Sequence, residues 1–189
     1  LADEFTNHNE VPLGQKTVKL LNQLGYGVQI PKGIVTGRSF ISKGMLIEAK
    51  ALANSNVDQL GSLISYEHPL LGIEPSALLT FRDEIPSLVD ADKRKQAEQL
   101  KPNCLLIDEF IAREFKAGKI TSDSFHGKQQ KILLHGHCHQ KSIAGLTSTR
   151  IALTIPSQYE VELLPTGCCG MAGSFGYEKK HYKLSQQIA

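Results

Sequence analysis

YEVELLPTGCCGMAGSFGY, residues 159–177, runs a strand into two adjacent cysteines and on through a glycine-spaced turn. YEVELL (159–164) reads as the strand, Gly167 and Gly170 bracket Cys168 and Cys169, and a helix is expected from about Tyr177. The same order appears just upstream. KILLHG (131–136) reads as a strand and Ser142 to Leu153 as a helix. In HGHCHQK (135–141) a continued strand would put the three histidines on one face and Cys138 on the other, whereas a turn at Gly136 would let them converge. Strands alternating with helices favour a parallel sheet with helices on both faces. In such sheets the loops that leave the C-terminal ends of strands gather in one crevice. Both cysteine groups lie in such loops, so this topology brings Cys138 towards Cys168 and Cys169.

The first half of the chain carries a similar alternation without the cysteines. Leu13–Leu24 reads as a helix ending at Gly25, YGVQI (26–30) as a short strand stopped by Pro31, and residues 42–53 as a helix with Ser42 as N-cap. PLLGIE (69–74) reads as a buried strand, and Pro75 opens the next helix. Residues 103–117 form the clearest amphipathic pattern, with Asn103 as cap and Gly118 as stop. Strand YGVQI leads to Val35-Thr36-Gly37 much as strand YEVELL leads to Cys168-Cys169-Gly170, with about one residue of slack. The expected organisation is therefore a duplicated α/β unit of two similar Rossmann-like lobes. A first repeat covers 1–117, a polar linker 118–130 and a second repeat 131–189, with the chemistry in the second.

Composition narrows the function classes. Across 189 residues the hydrophobic fraction of 41% and the charged fraction of 21% are ordinary for a globular protein. The net charge of +2 is dispersed, which leaves no electrostatic footprint for nucleic acid. No apolar run approaches the roughly 20 residues that cross a bilayer, and the polar, acidic LADEFTNHNE does not read as a signal peptide. Four cysteines, two of them adjacent, are not a disulfide framework. A reducing, cytoplasmic setting is expected, where a Cys/His cluster reads as metal or redox chemistry.

The residues leave several readings open. Cys104, at the expected start of a helix, reads as a buried core residue. The adjacent pair fits that reading poorly, because both side chains cannot enter one core from one glycine-flanked turn. A disulfide between neighbours needs a strained ring. The histidines at 135, 137 and 139 are either surface polar residues or donors around Cys138. Gly170, Gly173 and Gly176 have the order G-x-x-G-x-x-G, which is not a dinucleotide fingerprint, and no P-loop lysine accompanies them. Soft thiolates at Cys138, Cys168 and Cys169 suit an iron–sulfur cluster or zinc. Gly167 and Gly170 would let the backbone approach such a group. His137 and His139 would be hydrogen-bond donors to it or a substitute ligand. One alternative is a structural zinc module that docks partner subunits. Another is a thiol enzyme in which His137 or His139 activates Cys138. Glu74, Ser76 and Arg82 read either as lining the same crevice or as helix-start and surface residues.

HGHCHQK followed by TGCCGMAGSFGYEKKHY resembles the second half of the cysteine-rich CCG domain. That domain occurs in a subunit of heterodisulfide reductase, in iron–sulfur subunits of glycolate oxidase and anaerobic glycerol-3-phosphate dehydrogenase, and in lactate-utilisation proteins. The wording is most similar to the C-terminal region of fused FAD-linked oxidase/iron–sulfur oxidoreductases. DEFTNHNEVPLG, TGRSFISKGMLIEAK and GIEPSALLTFRDE resemble the family's first repeat, so the likeness covers nearly the whole chain. It implies a [4Fe–4S] cluster on Cys138, Cys168 and Cys169, with FAD on another module and flavin and ferredoxin-like modules as partners. It also implies an electron-transfer role in oxidising a 2-hydroxy acid such as D-lactate or glycolate, with membrane association only through partners. On this resemblance the segment alone is not expected to be catalytic. Val35, Thr36 and Ala77 stand where the family often has cysteines, so the first repeat is expected to lack a site. The family's further cysteine beyond the CCG helix has no counterpart before Ala189. The second repeat is thus expected to be truncated, with an incomplete cluster or zinc on the remaining ligands.

Overall fold

The computed structural model describes all residues except His126, which falls in the expected linker, and Ala172 and Ser174, which fall in the cysteine–glycine loop; these three lie outside the described residues. The chain is mixed α/β and divides into two compact units, Leu1–Ile111 and Ala112–Ala189.

The first unit begins with α1 (Glu4–His8) and α2 (Val11–Gln23). Asp3, buried, caps α1 by accepting from the Phe5 and Thr6 amides at 2.9 and 3.0 Å. Pro12 sits in the first turn of α2, where a missing N–H costs nothing. α3 (Arg38–Ser42) follows Gly37, whose φ of 80° places it in the left-handed region. α4 (Leu46–Leu60) buries Ala49, Ala53, Asn56, Val57 and Leu60, a stripe spaced three and four residues apart. β1 (Leu70–Gly72) pairs in parallel with β2 (Cys104–Leu106), Leu70 opposite Cys104 and Gly72 opposite Leu106. Between the two strands lie α5 (Pro75–Leu79), α6 (Ile85–Leu88) and α7 (Arg94–Leu100). Leu78, Leu79, Phe81, Ile85, Ala97 and Cys104 are all buried to within a few per cent. Phe110 meets Tyr26 edge to face at 4.9 Å. Phe110 belongs to α8 (Ile107–Lys116), and the boundary between the units falls within this helix.

In the second unit Gly118, at φ 73°, ends α8, and a 3-10 turn spans Ser122–Ser124. β3 (Gln130–Leu134) pairs in parallel with β4 (Tyr159–Leu163), from Gln130 opposite Tyr159 to Leu134 opposite Leu163. The crossover holds α9 (Cys138–Ile143) and α10 (Thr147–Thr154). After β4 come the cysteine turn, two 3-10 turns at Phe175–Tyr177 and Lys179–His181, and α11 (Tyr182–Ile188).

Several expectations are corrected. YGVQI (26–30) forms no strand; Val28 and Ile30 are 38% and 53% exposed, and β1 and β2 pair with each other. A strand needs a partner for its backbone groups, and apolar alternation alone does not supply one. Ser42 does not cap the next helix but ends α3, and α4 starts only at Leu46, after Gly44 turns the chain at φ 73°. Asn103 ends a 3-10 turn instead of capping a helix, because Cys104–Leu106 is drawn into the β1 ladder. The helix expected from Ser142 to Leu153 is two helices, separated at Gly145 with φ 71°. The two described sheets are parallel, as expected for an α/β chain, and each has two strands.

Candidate metal centre

The β3–β4 ladder decides where the ligands meet. Its two strands end side by side, and Leu164 extends the pairing by donating its amide to the Leu134 carbonyl at 2.9 Å. The loops that follow therefore leave from adjacent points. They are tied at once, because His135 Nδ1 is hydrogen-bonded to Thr166 Oγ1. Gly136 is buried in the first of these loops. A Cβ there would stand 2.4 Å from Leu146 Cδ1, so the tight turn uses the absence of a side chain.

The turn delivers Cys138 to the first position of α9. His137 is the N-cap, its Nδ1 accepting from the His139 amide at 3.2 Å. Gln140, buried, donates to Thr149 Oγ1 at 2.8 Å and so braces α9 against α10. Three residues along from Cys138, Lys141 points its Nζ at the Thr166 and Gly167 carbonyls, 3.4 Å from each.

Cys138, Cys168 and Cys169 are exposed and unbridged. Cys168 lies within side-chain hydrogen-bonding reach of both Cys138 and Cys169, although the three sulfurs do not all lie within 4.8 Å of one another. The Gly170 amide donates to Cys168 Sγ at 3.4 Å. That backbone N–H, then the Cys138 and Cys169 thiols and the Lys141 charge, draw the Cys168 thiol below its ordinary range against a smaller effect of desolvation. One backbone donor and one cation therefore favour a thiolate at the centre of the three sulfurs. Gly170 adopts φ 77°, which favours glycine, while Gly167 has open space around it and an ordinary backbone.

Cys104 has the opposite character. It is fully buried in β2, and burial pushes its thiol up to about 12. In the first unit Thr36 is buried, and its amide and hydroxyl both donate to the Glu4 carboxylate at 3.0–3.1 Å. Asn56 Nδ2 donates to the Val35 carbonyl at 2.8 Å. The Val35–Gly37 turn is thus held by protein groups. Glu74 caps α5 through the Ser76 amide, and Arg82 pairs with Glu109 at 2.7 Å, so these three act as helix-start and ion-pair residues.

Comparison with known proteins sets this geometry in context. The chain is similar to a subunit of the anaerobic glycerol-3-phosphate dehydrogenase of Escherichia coli (strain K12), 26% identical over 186 residues, covering 97% of this chain and 46% of that protein. It is also similar to the D-2-hydroxyglutarate dehydrogenase of the same organism, 25% identical over 189 residues, 100% of this chain and 18% of the relative. Lactate utilization protein A of Bacillus licheniformis is 24% identical over 195 residues, 75% of its length. The chain therefore spans less than half the length of the first two relatives. Two of the three are dehydrogenases or dehydrogenase subunits by name. No family model matches the chain, and no solved structure matches it. Among the described residues no helix is long and apolar enough to cross a membrane.

Sequence reasoning missed three groups at this site: Lys141, Thr166 and Ser185. Lys141 carried no readable signal, because the helix is expected only from Ser142 and α9 in fact begins at Cys138, which puts Lys141 one turn along from it. Thr166 and Ser185 carried none either, because their partners are set by the ladder register and by the packing of α11.

Proposed function

We propose that Cys138, Cys168 and Cys169 hold an iron–sulfur cluster, and that the chain is the electron-transfer segment of a larger dehydrogenase. In that protein, hydride chemistry would take place at an FAD carried on another module, with a ferredoxin-like module as further partner. The observation that carries the reading is the convergence of three exposed thiols on Cys168, with the Gly170 N–H directed at its sulfur. The donor set fits the group: thiolates are its usual ligands, and N–H···S bonds and nearby cations set its potential. When bound, a [4Fe–4S] cluster supplies one-electron transfer. The chain's own residues hold the three sulfurs, screen their charge with Lys141, and place Cys138 through the His137 cap. Ligation through His137 Nδ1 would cost that cap, so His137 acts as a positioning group and His139 remains the candidate donor or fourth ligand. The names of two of the relatives support a 2-hydroxy acid as the substrate class of the whole protein, whereas that of the glycerol-3-phosphate dehydrogenase subunit points to a different alcohol.

Each unit has one parallel strand pair joined by a crossover of short helices, and a left-handed glycine turn, Gly37 ahead of the pair in the first unit and Gly170 after it in the second. This is consistent with an internal duplication of Rossmann-like lobes, in which Glu4 and Asn56 occupy hydrogen-bonding roles at the cysteine-free turn. The second reading is a structural zinc module on the same three thiolates, and the same exposed donor set supports it. Cys138→Ser, Cys168→Ser and Cys169→Ser variants separate the cluster reading from a coincidental grouping of thiols. Each should abolish broad visible absorption after anaerobic iron and sulfide loading, whereas Cys104→Ala should retain it. Absorption that survives all three serine variants refutes the assignment.

A further inference from the structure

We propose that Ser185, on α11, is a positioning residue for the cysteine turn: its hydroxyl locks Gly170 in the conformation that aims the Gly170 N–H at Cys168. The inference rests on the reading of Cys138, Cys168 and Cys169 as ligands. Ser185 is 1% exposed, and its Oγ donates to the Gly170 carbonyl at 2.8 Å in a buried bond. The same glycine presents its N–H to Cys168 Sγ at 3.4 Å and holds φ at 77°. With φ set by the left-handed turn and the carbonyl anchored to Ser185, both peptide planes flanking Gly170 are constrained. The direction of the N–H towards sulfur follows from that constraint.

Two glycines make room for this contact from opposite sides of the loop. A Cβ on Gly170 would fall 2.2 Å from the Ser185 carbonyl oxygen. A Cβ on Gly176 would fall 2.9 Å from Ser185 Oγ and 2.7 Å from Met171 Sδ. The Gly176 amide closes the loop on the Met171 carbonyl at 2.8 Å. Alanine at 185 would fill nearly the same volume, so packing alone does not call for the hydroxyl. What alanine cannot do is satisfy the Gly170 carbonyl in a place where water is excluded. Groups that orient a ligand's backbone in this way typically change metal affinity about 10–100-fold when removed. An N–H···S bond also withdraws electron density from the sulfur, so weakening it moves the potential of a bound cluster to more negative values.

The test uses cadmium as a thiolate probe on the whole chain. Titration against a competing chelator, followed by the ultraviolet thiolate-to-cadmium band, should show Ser185→Ala binding about 10–100-fold more weakly than wild type. Leu184→Ala, on the exposed side of α11, should bind like wild type, and the urea midpoints of both variants are measured alongside. Equal cadmium affinity in Ser185→Ala and wild type overturns the inference while leaving the three-thiolate site intact. A wild-type chain with no thiolate–cadmium band, or one whose band survives Cys168→Ser, overturns the site itself and this inference with it. If Ser185→Ala does not fold, the wild-type chain loaded with cadmium-113 decides. A scalar coupling between the Gly170 amide proton and the metal, transmitted through Cys168 Sγ, is expected; its absence overturns the inference.

Discussion

Replacing Gly170 by alanine combines a strained backbone conformation with a backbone clash. An L-residue held in the left-handed region costs about 1–2 kcal/mol. The new Cβ would also meet the Ser185 carbonyl oxygen at 2.2 Å. That atom is helix backbone and cannot rotate away, so α11 must shift. The shift breaks the buried Ser185–Gly170 bond, worth about 1 kcal/mol net. Together these come to about 3 kcal/mol against the closed loop, and about 1.4 kcal/mol corresponds to a tenfold change in an equilibrium. Amide hydrogen exchange over peptides covering residues 165–189 reads this directly, and protection should fall by about 100-fold at neutral pH. Gly167→Ala is the matched control, because a Cβ there meets nothing within 4 Å and its φ is not left-handed. Its exchange should stay within a few-fold of wild type. Equal protection in the two variants would refute the argument that α11 is docked on the Gly170 backbone.

Three further outcomes follow from the geometry. Cys104 is buried and its thiol is raised from 9.0 to about 12, so it stays neutral in the folded chain over a range where it ionises once unfolded. Its contribution is therefore complete below about pH 9 and is lost between about pH 9 and 12, at about 1.4 kcal/mol per pH unit. Urea midpoints at pH 8 and pH 10.5 should diverge more for wild type than for Cys104→Ala, and an identical pH slope contradicts the assignment. At pH 8 iodoacetamide should label Cys138, Cys168 and Cys169 in the native chain but Cys104 only in denaturant, as read by peptide mass spectrometry. Arg82→Met strips the Glu109 carboxylate of its guanidinium partner while the Leu106 amide still binds it, and should cost the first unit about 2 kcal/mol by denaturant titration.

How far the sequence could be read depended on the range of the interactions involved. Residues 130–134 and 159–163 were legible as strands, because their patterns match the pairing they make. The parallel order of those strands made the meeting of Cys138 with Cys168 an inference from topology. Residues 26–30 show the limit: the alternation is present, but no described strand lies beside it. Cys104–Leu106 fails in the opposite sense. Its helical periodicity runs on from α8, and the β1 ladder overrides it. At the candidate site, the exposure of the adjacent thiols was legible, because both cannot enter one core from one glycine-flanked turn. The parts that aim those thiols were not. Ser185 looks like an ordinary polar position on a terminal helix until its hydroxyl is seen against the Gly170 carbonyl. His137 reads in the sequence as a hydrogen-bond donor to the group or a substitute ligand, and its place as the cap of α9 emerges only from the turn at Gly136.

The central claim is that the three converging thiolates hold iron and sulfide. The most direct measurement is the iron, acid-labile sulfide and zinc content of the chain after anaerobic purification and loading, beside the Cys168→Ser variant. Iron and sulfide in near-equal amounts in wild type, lost in Cys168→Ser, is the predicted result. Zinc alone, unchanged by iron and sulfide loading and lost in Cys168→Ser, would contradict the cluster and leave a structural zinc module.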